Sequence, residues 1–94
     1  MSKLTDTDAM ARLHALPGWT QVDNTIQKTF ELPGFPAAIL FVAAVGQLAQ
    51  AADHHPDIDI RYRRVTLSLS THSAGGLTAK DFDLAEKIEE LLGG

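Results

Sequence analysis

The chain has 94 residues, 45% of them hydrophobic and 21% charged, which suits one small folded domain spanning residues 1–94 and leaves no material for a second core. Its formal net charge of −4 argues against a nucleic-acid surface, whose electrostatic footprint is basic. The absence of cysteine excludes disulfides, thiolate nucleophiles and cysteine-bound zinc or iron–sulfur clusters, and fits a reducing cytoplasm.

Behind the single lysine of Met1 to Asp6 there is no apolar run, so no signal peptide is expected. Residues 5–16 read as a first helix. Thr5 or Thr7 is placed to cap it, with Asp8 three residues after Thr5. Ala9, Leu13 and Leu16 recur at helical spacing, and Leu16-Pro17-Gly18 stops the run. Two strands follow at 19–22 and 25–32, joined by Asp23-Asn24, which suits a two-residue hairpin turn. In the second strand Ile26, Phe30 and Leu32 share a face that Lys28 interrupts.

Pro33-Gly34 ends that strand, and residues 35–52 form a second helix with Pro36 tolerated in its first turn. A membrane span needs about 20 strongly apolar residues. The alanines, Gly46, Gln47 and Gln50 of this stretch instead indicate a buried helix of a soluble protein. Ile39, Leu40, Phe41, Val42, Val45 and Leu48 surround so much of its circumference that it needs covering on more than one side. One side meets the sheet and another is left for a second subunit, so self-association is expected.

Asp53-His54-His55-Pro56 closes the helix, and Pro56 biases His55 toward extended backbone. Residues 57–62 alternate, with Ile58, Ile60 and Tyr62 on one face, and Arg63-Arg64 reads as a turn or bulge. Residues 65–72 alternate again, with Val65, Leu67, Leu69 and Thr71 inward and Thr66, Ser68, Ser70 and His72 outward. Ser73 to Leu77 is a flexible loop. A third helix spans 78–92, with Thr78 and Asp81 as a capping box and Leu84, Ala85, Ile88, Leu91 and Leu92 as its buried stripe. The order α-β-β-α-β-β-α predicts an α+β fold, a four-stranded antiparallel sheet with three helices packed on one face.

Imidazole both gives and takes a proton near neutral pH. His54 and His55 sit at the exit of the second helix. If the last two strands pair as a hairpin, His72 returns to the start of the strand that follows the doublet. Three histidines from separate segments then converge at one sheet edge, an arrangement suited to proton transfer. Each residue also has a plainer reading. A histidine at a helix C-terminus complements the dipole, and one at a strand end is solvated. Asp53 serves as a turn residue, Asp81 as a capping carboxylate, and Gly75-Gly76 as backbone freedom. His14 reads as a surface residue. Three imidazoles suit zinc with one open position, but adjacent side chains of extended backbone diverge, so no metal is expected and a metal hydrolase is the weaker alternative.

Asp53-His54-His55-Pro56, then Leu67-Ser68-Leu69-Ser70-Thr71-His72, then Gly75-Gly76-Leu77-Thr78 and Asp81, with Trp19 opening the first strand after Pro17-Gly18, resembles the pterin-4a-carbinolamine dehydratases over nearly the whole chain. The resemblance implies the fold read above, assembly as a homodimer or homotetramer, and no cofactor. It implies dehydration of the 4a-hydroxytetrahydropterin that aromatic amino-acid hydroxylases release, giving a quinonoid dihydropterin for recycling. Some members also act as dimerisation partners of a transcription factor. By the same resemblance His54, His55 and His72 are the catalytic histidines; the loss of water needs one acid and one base, for which His54 and His72 are expected in either order, with His55 holding substrate. Asp81 is an acidic position near them, placed to orient His72, and Pro56 is a shaping proline. Asp53, Pro56, Ile58, Thr71 and Asp81 form the expected substrate-binding set. The chain departs from the pattern twice: Gln50 stands where some members carry glutamate, and Ile58 where some carry tryptophan. These departures leave a non-catalytic interaction module as the other alternative.

Overall fold

The computed structural model describes residues 2–93. Its elements are α1 (Asp6–His14), β1 (Thr20–Val22), β2 (Thr25–Glu31), α2 (Phe35–Ala52), β3 (Asp57–Arg61), β4 (Arg64–Leu69), a short 3₁₀ turn at His72–Ala74, and α3 (Ala79–Leu91). The strands form one antiparallel sheet in the order β1-β2-β4-β3. This is the expected α-β-β-α-β-β-α order.

Thr5 caps α1, its hydroxyl accepting the Asp8 N–H at 3.1 Å. The helix ends at His14, two residues short of the sequence reading, because Pro17 and Gly18 (φ +87°) turn the chain toward β1. Val22 pairs with Thr25, so Asp23-Asn24 is the two-residue turn expected, with Asp23 at φ +55°. The β3–β4 turn differs from expectation by one residue. Arg61 pairs with Arg64, and Tyr62 takes φ +55°, which places the turn at Tyr62-Arg63 and removes Tyr62 from the strand face. β4 ends at Leu69 rather than His72. Beyond it Thr71 pairs with Gly76 in an isolated bridge, so the chain folds onto itself instead of continuing beside β3.

The core lies between the sheet and the helices. Ile26 and Phe30 of β2 and Val65, Leu67 and Leu69 of β4 meet Ala38, Phe41, Val45 and Ala49 of α2 and Phe82, Leu84, Ala85 and Ile88 of α3. Each large apolar side chain buried there contributes about 1.5–3 kcal/mol. Lys28 intrudes on this face and is accommodated by a partner: its Nζ lies 2.6 Å from Glu89 Oε1 of α3 and 3.1 Å from the Pro17 carbonyl. Arg12 ties α1 to α3 through Asp83 and Glu86, each at 2.9 Å. The hydrogen bond to Asp83, then that to Glu86, raises its pKa above the ordinary guanidinium range.

Two apolar surfaces stay open. α2 is long and apolar enough to cross a membrane by length and composition, yet one of its faces is packed into the core. The other exposes Phe35, Ile39 and Leu40, the last by 71%. β3 is an edge strand, as β1 is on the other side of the sheet, and α2 packs over β4 instead. Ile58 and Ile60 therefore share a face with Leu67 and Val65 but remain 40% and 38% exposed.

Candidate active site

Three chain breaks build the site. At the first, Asp53 ends α2 in the left-handed conformation (φ +49°, ψ +45°). Its N–H bonds the Gln50 carbonyl at 3.2 Å, and the His54 N–H bonds that of Ala49 at 3.1 Å, which satisfies the last carbonyls of the helix. The reversal buries the His54 side chain, 9% exposed, and leaves His55 in solvent. At the second break, the Thr71–Gly76 bridge closes a loop whose Gly75 sits at φ +75°, a conformation that suits glycine. At the third, Thr78 and Asp81 form the capping box of α3.

The three breaks meet in one buried network. Asp81, with no exposed surface, accepts the Thr78 N–H and the Thr71 hydroxyl at Oδ2, each at 2.9 Å. Its Oδ1 lies 2.5 Å from Nε2 of His54. Thr71 commits its only proton to Asp81, so the 2.9 Å contact between the two hydroxyls runs from Thr78 to Thr71. The Thr78 oxygen also accepts the Lys80 N–H at 3.2 Å. Every donor direction is thereby assigned. The carboxylate acts as acceptor at both oxygens, Nε2 of His54 is the donor, and Nδ1 makes no side-chain hydrogen bond among the described residues.

This arrangement corrects one expectation. Asp81 orients His54 and not His72, and with both oxygens engaged and no exposed surface it stands behind the site rather than on its wall. Thr71 is likewise buried, its hydroxyl turned to Asp81. His72 directly follows Thr71, opens the 3₁₀ turn, is exposed, and makes no side-chain hydrogen bond among the described residues. His55 meets Gln50, Nε2 to Oε1 at 3.0 Å. Pro56 is half-buried, Asp53 is exposed, and Ile58 presents its side chain at the edge strand.

Two members escaped the sequence reading. Thr78 was seen as a cap and not as part of a histidine network. Gln50 was seen as a substitution and not as the partner of His55. The spacing of Gln50 before a helix-ending histidine was the available signal for the second. Among the described residues no group of three or more histidine, cysteine, aspartate or glutamate side chains is arranged to hold a metal ion. A separate groove of about 540 Å³ is lined by Leu16, Lys28, Glu86 and Glu89 among others and contains none of the three histidines.

Residues 2–91 match the family described as pterin 4 alpha carbinolamine dehydratase. A protein of Roseiflexus sp. (strain RS-1), provisionally named a pterin-4-alpha-carbinolamine dehydratase, is 60% identical over 91 residues, covering 97% of this chain and 98% of that one. One from Chloroflexus aurantiacus, with the same provisional name, is 54% identical over 93 residues, covering 99% and 100%. Among solved structures, a transcriptional coactivator/pterin dehydratase from Brucella melitensis superposes with a TM-score of 0.92 at 35% identity, covering 96% of this chain and 98% of that one. A pterin dehydratase-like RuBisCO assembly factor of the alpha-carboxysome shares the fold at a TM-score of 0.69 and 20% identity, covering 82% and 92%.

Proposed function

This chain belongs to the pterin 4 alpha carbinolamine dehydratase family, and from that premise we propose that it is a hydro-lyase acting on a pterin 4a-carbinolamine. Its reaction breaks the bond between C4a and the hydroxyl oxygen. The hydroxyl takes a proton and leaves as water. The adjacent ring nitrogen gives up its proton, and that electron pair forms the new C=N bond of the quinonoid dihydropterin. One proton is delivered and one removed, so the protein needs one acid and one base; its net proton count is unchanged, and proton exchange with water resets the two groups for the next cycle.

The observation that supports this reading best is the buried Asp81–His54 pair, which engages Nε2 of His54 and is joined by Thr71, the residue before His72; Nδ1 of His54 is then the working nitrogen of the proposal. In this proposal His54 and His72 form the acid–base pair and His55 holds the substrate. Ile58 at the exposed sheet edge and Pro56 line the flat ring. Asp53 shapes the turn, and Asp81 and Thr71 act on substrate only through His54. The biological setting that follows is recycling of a tetrahydropterin in the cytoplasm, downstream of a hydroxylase of aromatic amino acids. The exposed Phe35, Ile39 and Leu40 of α2 support assembly into a homodimer or homotetramer.

The test is to follow dehydration of chemically prepared 4a-carbinolamine by the wild-type protein and by His54→Ala and His72→Ala. Positioned acid–base groups contribute about 10²- to 10⁴-fold each, so each variant is expected to fall by at least about 10²-fold. Wild-type rates in both folded variants would overturn the assignment.

A further inference from the structure

His54 and His55 are adjacent in the chain and are held at the same ring nitrogen by partners of different charge. Asp81 Oδ1 meets Nε2 of His54 inside the protein, and Gln50 Oε1 meets Nε2 of His55 at the surface. An amide oxygen only accepts, so its contact sets a proton on Nε2 of His55 and leaves Nδ1 bare in the neutral ring. Unlike a carboxylate, the amide brings no charge to favour an imidazolium. Gln50 reaches His55, five residues on, because the left-handed Asp53 reverses the chain between them.

We propose that Gln50 is a positioning residue that fixes the His55 ring through an uncharged acceptor at Nε2, where His54 has a carboxylate. The two rings of the doublet then share one tautomer and differ in the charge of the group that holds them. This rests on the dehydratase reading and deepens it by separating the roles of two like side chains. The titratable groups nearest His55 in the chain are Asp53, His54 and Asp57. Among the described residues none of these forms an ion pair with it, and Asp81 is committed to His54. Gln50 is the one described side chain that hydrogen-bonds the His55 ring.

Gln50→Glu and Gln50→Met in the full chain test the role. Gln50 is exposed, so both variants should fold as the wild type does. An opposite charge at hydrogen-bond distance favours the charged imidazole. In Gln50→Glu the ring-proton NMR titration of His55 should therefore move up by about one pH unit, with His14 on α1 unmoved. The acid limb of the kcat/KM profile should move up with it, and kcat/KM above that limb should match wild type because the hydrogen bond is kept. Gln50→Met frees the substrate-holding ring and should lower kcat/KM about tenfold above that limb, mainly through KM. A His55 titration that stays put in Gln50→Glu, or wild-type kcat/KM in Gln50→Met, overturns the role of Gln50. The titration needs no turnover, so a wild-type protein that shows the shift in Gln50→Glu but never dehydrates the carbinolamine sinks the dehydratase reading and not the contact.

Discussion

The floor of the site and its rim use the same kind of side chain under opposite conditions. On the floor, His54, Thr71, Thr78 and Asp81 are buried, and the two hydroxyls, both carboxylate oxygens and Nε2 of His54 all have partners. On the rim, His55 has one exposed hydrogen bond and His72 has none among the described residues. A buried polar group left unpaired costs about 1–3 kcal/mol, whereas an exposed one exchanges its partner for water at little net cost. Under the proposed function the floor therefore couples chemistry to folding. The rim separates them, which leaves its residues free to differ without endangering the domain.

Substitutions graded by depth break or sharpen this contrast. The largest effect is expected for Asp81→Ala, which strips His54, Thr71 and the first turn of α3 of their shared acceptor. Losing one partner of a buried pair costs about 3–5 kcal/mol, read as a lowered urea midpoint, and dehydration should fail alongside. Unaltered stability would mean that floor and rim are energetically alike. Thr71→Val comes next, at about 1–3 kcal/mol, and Thr71→Ser should recover most of it by restoring the donor to Asp81. Asp53 joins the two regions. Its left-handed backbone resists β-branched side chains, so Asp53→Val should cost about 1–2 kcal/mol, while Asp53→Gly should stay within a few tenths of wild type in thermal unfolding. The smallest stability change, under about 0.5 kcal/mol, is expected for His72→Ala, despite its large loss of turnover. A rim variant that unfolded the protein would erase the distinction.

What could be read from sequence was local. The caps at Thr5 and Thr78, the Asp23-Asn24 hairpin and the inward stripe of Val65, Leu67, Leu69 and Thr71 depend on neighbours within a few residues, and each is found in place. What accommodates Lys28 on its apolar face was not legible, because its partner, Glu89, lies 61 residues away. The alternation of β3 ran one residue too far because an aromatic at positive φ is uncommon, and nothing near Tyr62 signals it. The hairpin register was read only for a meeting of the three histidines. The pairing on the floor was not legible, since Asp81 meets a histidine 27 residues earlier and not the nearer His72. Local patterns identify which side chains are available, and tertiary closure decides which of them touch.

One carboxylate both closes the first turn of α3 and seats the His54 ring. Fraying of that helix and tumbling of that ring are consequently a single event. Amide exchange at Thr78 and rotation of the imidazole should share one opening free energy. Anyone transplanting this histidine to another scaffold would have to carry the beginning of the helix with it.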